Sequence, residues 1–159
     1  MKFDTNRRQW FAETVVKRLA VASSSLDNCR EFNALDFQTT MIAVFVGVGL
    51  YGGEQGAVHD VTVEVLLRNR VLVRTVRQMV SVGDKAPIRV DLEMPVLINS
   101  NERYTLQVTM KGPKTWWGDE GAAMYDFEGC GKTSFYESIL LKIKTVQMYT
   151  MGRFPSLCS

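Results

Sequence analysis

The sequence contains few of the side chains that bind metal ions. It has three cysteines, Cys29, Cys130 and Cys158, without a Cys-x-x-Cys pair, and its one histidine is His59. A structural zinc site needs a full set of such ligands at regular spacing, so we predict no metal and no other cofactor. We interpret His59, which precedes Asp60, as a surface or capping residue rather than the base of a nucleophile relay.

The chain also lacks a strong net charge and a long hydrophobic run. Its formal net charge is +2, from 19 basic and 17 acidic side chains, whereas proteins that bind duplex DNA carry a strongly basic face. We interpret the neighbouring arginines as a solvated hairpin edge; they are Arg68, Arg70, Arg74 and Arg77. The longest apolar stretch, 41–51, is shorter than the roughly 20 residues of a membrane helix. We therefore predict no nucleic-acid binding and no membrane insertion.

The length and the first residues of the chain indicate one cytoplasmic domain. The 159 residues fit a single hydrophobic core over 1–159, in which residues 1–15 are either part of the fold or a flanking segment. The polar start lacks the apolar segment of a secretory signal, so we expect reduced thiols and a cytoplasmic location. As an isolated domain, the chain is expected to be monomeric.

No catalytic motif in the sequence is complete. The segment 131–134 is similar to the end of a phosphate-binding loop, but Asp126 stands where that loop requires a glycine, so we interpret it as a turn before a strand. Asp119 and Glu120 lie in a glycine-flanked loop without the Asp-x-Asp-x-Asp-Gly pattern of a calcium site. The sequence therefore predicts no catalytic residues and no enzymatic activity.

Alternating apolar residues predict β-strands through the middle of the chain. Segments 61–67, 88–93 and 104–110 alternate between apolar and polar residues, which is typical of strands with one face in water. Segment 42–46 is apolar at every position. It is expected to form a central strand that is covered on both faces.

Turn residues separate these predicted strands. Asn69, Gly83-Asp84 and 99–101 lie between the apolar runs and predict hairpins. Strands and turns at this spacing predict an all-β fold of one domain. The expected architecture is an antiparallel β-sandwich of many strands, similar to a jelly roll.

Two segments near the ends of the chain fit more than one structure. Residues 7–22 place apolar side chains near helical spacing, yet their last part suits a strand, so we expect a short helix or turn before a first strand near 16–21. Residues 138–148 suit either a strand or a helix.

Two glycine-rich clusters, 51–56 and 111–121, contain aromatic residues and predict recognition loops on a rigid β scaffold. They are expected to form a protein-binding surface at one end of the sandwich. The candidate binding residues are Tyr51, Gly52, Gly53, Gln55, Lys111, Gly112, Pro113, Lys114, Trp116, Trp117 and Gly118.

The aromatic residues of these clusters leave a second function open. Because neighbouring residues point to opposite sides, we expect one of Trp116 and Trp117 to face solvent and the other to close the end of the core. Exposed aromatic rings on β-sandwiches also bind sugars. A domain that binds carbohydrate or another small ligand through Trp116, Trp117 and Tyr51 is therefore the alternative hypothesis.

The order of several motifs along the chain resembles the PHR domain. These motifs are Ala34-Leu35-Asp36-Phe37, Val46-Gly47-Val48-Gly49-Leu50-Tyr51-Gly52-Gly53, Met110-Lys111-Gly112-Pro113 with Trp117-Gly118 and Gly121, and Gly152-Arg153-Phe154-Pro155-Ser156-Leu157. The family is named for the Pam, Highwire and RPM-1 ubiquitin ligases and also includes BTB-domain adaptors.

The resemblance implies a many-stranded antiparallel β-sandwich whose loops at one end bind proteins. In this family the domain recruits substrates or partners for a RING-type ligase or a BTB adaptor of a cullin ligase. Ubiquitin transfer takes place elsewhere in the parent protein. The scarcity of cysteine and histidine agrees with this division, because a RING domain needs many such zinc ligands.

Overall fold

The protein is built from β-strands. The computed structural model describes residues 13–16, 19–29, 32–121, 124–126, 131–137 and 146–152, and none of these residues is helical. The strands are β1 (Glu13–Val16), β2 (Leu19–Ala22), β3 (Phe32–Thr39), β4 (Ala43–Leu50), β5 (Val58–Leu67), β6 (Arg70–Val80), β7 (Ile88–Ile98), β8 (Arg103–Lys111), β9 (Gly118–Gly121), β10 (Met124–Asp126), β11 (Lys132–Glu137) and β12 (Val146–Gly152).

The strands form two main antiparallel sheets. One has four strands in the order β1-β12-β4-β7, and the other has six in the order β10-β11-β3-β8-β5-β6; β2 and β9 pair separately. Side chains of both main sheets meet in one core cluster. The predicted antiparallel β-sandwich is therefore confirmed.

Three aromatic rings join the two sheets at the centre of the core. The ring of Phe37 on β3 meets that of Phe45 on β4 edge to face, with centroids 5.7 Å apart. Phe37 also stacks on Tyr104 of β8, at 5.8 Å. The Tyr104 hydroxyl accepts a hydrogen bond of 3.0 Å from the backbone amide of Asn99. Aromatic pairs of this kind contribute about 0.5–1.5 kcal/mol each beyond their buried area.

The predicted strands agree with the observed burial. Every residue of β4 is buried, and β4 lies between β12 and β7, so the prediction of a central strand at 42–46 is confirmed. The alternation in β5, β7 and β8 also places most of the expected residues in the core, and Leu67 and Ile88 pack against it while partly buried. A bulge between Val65 and Leu66 changes the alternation at the end of β5. As a result Leu66 is buried, although the alternation predicts it on the solvent-facing side of the strand.

The turn residues reverse the chain as predicted, but only one of the three turns forms a hairpin. Arg68 and Asn69 have positive φ angles of 51° and 64° and join β5 to its neighbour β6. The turns at 83–84 and 99–101 instead lead from one main sheet to the other. Turn chemistry fixes a local reversal of direction, whereas side-chain burial decides which sheet the next strand joins. The hairpin prediction is therefore wrong at these two turns.

The arginine-rich segment forms the edge of the six-stranded sheet. Arg70, Arg74 and Arg77 lie on the edge strand β6, and Arg68 is in the preceding turn. All four are exposed. The guanidinium of Arg68 lies 3.1 Å from the carboxylate of Glu102. The predicted solvated hairpin edge is confirmed, and these charges disfavour pairing with another strand.

The two ambiguous segments are strands where the structure describes them. Residues 13–16 pair with β12, so the expected helix or turn is wrong for 13–15. The expected strand near 16–21 is confirmed at its described residues, because residue 16 ends β1 and residues 19–22 pair with β9; 7–12 and 17–18 lie outside the described part. Residues 146–148 belong to strand β12, so a helix is wrong there as well. Residues 138–145 also lie outside the described part.

Candidate functional site

Among the residues that the structure describes, four connections between strands meet at one end of the sandwich, which we call the loop end. They are 23–29 before β3, 51–57 before β5, 81–87 before β7 and 112–117 before β9. The strand register places them together, since Leu50 lies opposite Ile88 and Val58 lies opposite Val80. The two predicted recognition clusters therefore lie at the same end.

Ser81 connects the 51–57 and 81–87 connections. Its hydroxyl accepts a hydrogen bond of 2.9 Å from the backbone amide of Gly53. Its carbonyl oxygen accepts one from the amide of Gly56, and its amide donates one to the carbonyl oxygen of Ala57, both at 2.9 Å. Because Ser81 is buried, these bonds are shielded from water and hold the two connections together.

Backbone hydrogen bonds also fix the 112–117 connection. The amide of Trp116 donates to the carbonyl oxygen of Gly52 at 2.9 Å, and Thr115 exchanges two bonds of 2.9 Å with Asp27. The amide of Ser23 donates to the carbonyl oxygen of Trp117 at 2.7 Å, and the amide of Trp117 donates to the hydroxyl of Ser23 at 3.0 Å. The connection is thus held on both sides.

A buried histidine of strand β5 contacts the same connection. His59 has no exposed surface, and its Nε2 lies 2.8 Å from the carbonyl oxygen of Pro113. The prediction of a surface or capping histidine is therefore wrong. The alternation that assigns Val61 and Val63 to the core extends back to His59 in β5, and this signal could have revealed its burial.

Two glycines allow the connections to approach this closely. A β-carbon at Gly53 would overlap the carbonyl oxygen of Lys114. A β-carbon at Gly112, where φ is +156°, would lie 2.6 Å from the ring of His59 and 2.7 Å from the carbonyl oxygen of Val58. Both positions require glycine because neighbouring backbone occupies the space of a side chain.

The aromatic residues of the loop end are less exposed than predicted. Trp116 and Trp117 are both half-buried, so the expectation of one exposed ring and one core ring is wrong. Adjacent residues alternate in direction only in a regular strand, and the connection lies between β8 and β9. The ammonium of Lys85 lies 4.6 Å from the centroid of the Trp116 ring. The buried Trp116 Nε1 has no hydrogen-bond partner among the described residues.

Tyr51 is a structural residue. It is 3% exposed, and burial raises the pKa of its phenol above the usual value of 10.0. Gly52 and Gly53 are buried as well. The prediction that Tyr51 presents its ring to a ligand is therefore wrong, and the sugar-binding alternative loses one of its three stacking surfaces.

The loop end contains an open groove of about 500 Å³. Three of the candidate binding residues line it, namely Gln55, Pro113 and Lys114, and Glu54 and Gly56 from the predicted cluster 51–56 line it as well. Leu26 and Ala57 complete the lining, and they were missed because both lie outside the two glycine-rich clusters. Lys111 and Gly112 are exposed beside the groove, while Gly118 pairs with Ala22 in the small sheet.

The described residues contain neither a group of side chains suited to a metal ion nor a helix that could cross a membrane. Lys132 and Thr133, from the segment similar to a phosphate-binding loop, lie in strand β11. Thr133 pairs with Thr39 of β3 and is buried. The interpretation of this segment as a turn before a strand is therefore wrong for 132–134, which belong to β11; only residue 131 precedes the strand.

The fold and the loop end define a β-sandwich with a preformed surface groove. The family model for the PHR domain matches residues 21–157, and the chain therefore belongs to the PHR domain family. A comparison with curated proteins finds no match.

A comparison with solved structures finds a chain in the structure of infectious bursal disease virus Gx strain. It is 11% identical, with a TM-score of 0.22, over 94% of this chain and 35% of that one. Our chain thus spans about a third of its length. A TM-score this low supports neither a common fold nor a common function.

Proposed function

We propose that the loop end binds protein substrates or partners and recruits them to a ubiquitin ligase in the cytoplasm. The parent protein is either a RING-type PHR ligase or a BTB adaptor of a cullin ligase. The domain itself has no catalytic role, so ubiquitin transfer is assigned to another part of the parent. Membership of the PHR domain family supports this function.

The observation that carries the proposal is the set of hydrogen bonds that joins the connections of the loop end around an open groove. Hydrogen bonds of 2.7–3.0 Å join these four connections to one another, and the amides of Ser81 and Trp116 are among the donors. A preformed surface loses little conformational entropy when a partner binds. The groove lining combines apolar residues with charged ones, which suits a protein ligand.

Quantitative affinity capture from cells tests this proposal. The full chain is compared with Lys114→Glu at the loop end and with Arg70→Glu at the opposite end. Both substitutions replace an exposed cation by an anion, so they change the net charge equally. Surface substitutions of this kind are expected to change stability by less than about 0.5 kcal/mol, which a thermal melt checks.

We expect Lys114→Glu to reduce capture of the specific partners and Arg70→Glu to leave it unchanged. A second loop-end variant, Gln55→Lys, should behave like Lys114→Glu because Gln55 lines the same groove. If both loop-end variants fold and capture partners at full strength while Arg70→Glu does not, the binding surface lies elsewhere.

A further inference from the structure

Two connections of the loop end contribute opposite charges to the groove lining. Glu54 belongs to the 51–57 connection and Lys114 to the 112–117 connection, and both side chains line the groove and are exposed. Among the residues that the structure describes, neither one forms an ion pair. Both charges are therefore available to a ligand.

Three other charged side chains near the groove already have local contacts. The carboxylate of Asp27 accepts a hydrogen bond of 2.7 Å from the next backbone amide, and that of Asp84 accepts one of 3.1 Å from the amide two residues later. The ammonium of Lys85 lies over an indole ring at 4.6 Å. Lys111 is exposed but does not line the groove, so Glu54 and Lys114 are the charged residues of the groove lining.

Three other residues of the groove lining are apolar. Leu26 and Ala57 are half-buried and Pro113 is exposed, and all three line the groove. An apolar side chain placed there would remove apolar surface from water, which contributes about 25 cal/mol for each Å². The volume of about 500 Å³ is within the range of known ligand sites.

We propose that the groove binds an extended segment of a partner protein in which an apolar residue lies between one acidic and one basic residue. The acidic residue meets Lys114, the basic residue meets Glu54, and the apolar side chain contacts Leu26, Ala57 and Pro113. The two charges fix the orientation of the segment across the groove, because the reverse orientation places like charges together. This inference rests on the proposed function of the loop end.

A phage-displayed library of random 12-residue peptides is selected on the full chain. Such a peptide reaches about 40 Å when fully extended, which is more than enough to cross the groove. Peptides that combine an apolar residue with flanking charges of opposite sign are expected to be enriched. One enriched peptide is then synthesised, together with a second form in which its acidic and basic residues are exchanged.

Binding of both peptides is measured on the natural chain and on the double variant Glu54→Lys, Lys114→Glu. The double variant keeps the net charge, so nonspecific electrostatics do not change. We expect the exchanged peptide to bind the natural chain about threefold to tenfold more weakly, as exposed ion pairs predict. On the double variant, this preference should be reversed. Higher salt should reduce both preferences.

Three results would overturn the inference. The first is a selection that enriches no peptide. The second is an Ala57→Leu variant that melts normally and still binds the enriched peptides with unchanged affinity. The third is a double variant that keeps the peptide preference of the natural chain. In each case the capture experiment with Lys114→Glu and Arg70→Glu still tests the proposed function separately. Loss of capture in Lys114→Glu would then indicate a binding surface that does not take an extended segment.

Discussion

The imidazole Nε2 of His59 lies 2.8 Å from the carbonyl oxygen of Pro113, 54 residues later in the chain. A carbonyl oxygen accepts hydrogen bonds and cannot donate them, so Nε2 carries the proton. Nδ1 is buried and has no hydrogen-bond partner among the described residues. His59 therefore holds the 112–117 connection against strand β5 at the cost of one buried nitrogen without a partner.

His59→Leu should destabilise the domain and loosen the 112–117 connection. The variant loses a hydrogen bond and part of a buried side chain, so we expect a loss of about 1–3 kcal/mol in urea denaturation. Met79→Leu is the matched control, because Met79 is buried directly opposite His59 in β6. A volume-conserving change there should cost less than about 1.5 kcal/mol. Equal losses in the two variants would contradict a special role for His59.

The strands could be predicted from the sequence because burial in a sheet has a period of two residues. Tyr104, Leu106 and Val108 alternate with polar residues, and all three are in the core. The clustering of the two glycine-rich connections also followed, since neighbouring antiparallel strands bring their ends together. By contrast, the burial of His59 is not evident from its residue type, because an imidazole is found both at the surface and in the core; only its place in the alternation of β5 indicates it.

Other features depend on contacts that are distant in sequence. The turns at 83–84 and 99–101 contain ordinary turn residues. Their local sequence does not indicate that the next strand joins the other sheet. The partial burial of Trp116 results from its bond to Gly52 and its contact with Lys85. Such pairings between separate connections leave no periodic pattern in the sequence, so the groove lining could be predicted only in part.

Gly112→Ala should destabilise the domain more than Gly56→Ala. Both glycines have positive φ angles, +156° and +85°, so both substitutions strain the backbone by about 1–3 kcal/mol. At Gly112 the new β-carbon also meets His59 and the carbonyl oxygen of Val58, whereas at Gly56 it meets nothing within 4 Å. Thermal melts of the two variants compare the added steric cost. A Gly56→Ala variant that is the less stable of the two would contradict the close packing at Gly112.

Lys85→Met should change the environment of the Trp116 indole with little effect on the fold. The ammonium lies 4.6 Å from the ring centroid, and a cation–π contact at an exposed site contributes about 0.5–1 kcal/mol. The emission spectrum should shift in the natural background, and the same substitution should cause no shift in a chain with Trp116→Phe. A shift of equal size in both backgrounds would assign the effect to another tryptophan.

The chain should show no stabilisation by ATP. Thr133 is 1% exposed within strand β11, so its hydroxyl cannot reach a bound phosphate or metal ion. A ligand that binds the native state raises stability by mass action. A rise of about 1 kcal/mol or more at millimolar ATP, measured by urea denaturation, would contradict this prediction.

Ionisation of Tyr51 should destabilise the domain at high pH. Burial raises the pKa of its phenol above 10.0 in the folded protein, so the unfolded chain loses this proton first. Stability is therefore fully present below pH 10.0 and is lost as the pH rises from there through the folded pKa, by about 1.4 kcal/mol per pH unit. Urea denaturation below and above this range should show a smaller loss in Tyr51→Phe, which keeps the ring and cannot ionise. The same loss in both proteins would mean that other groups cause the alkaline destabilisation.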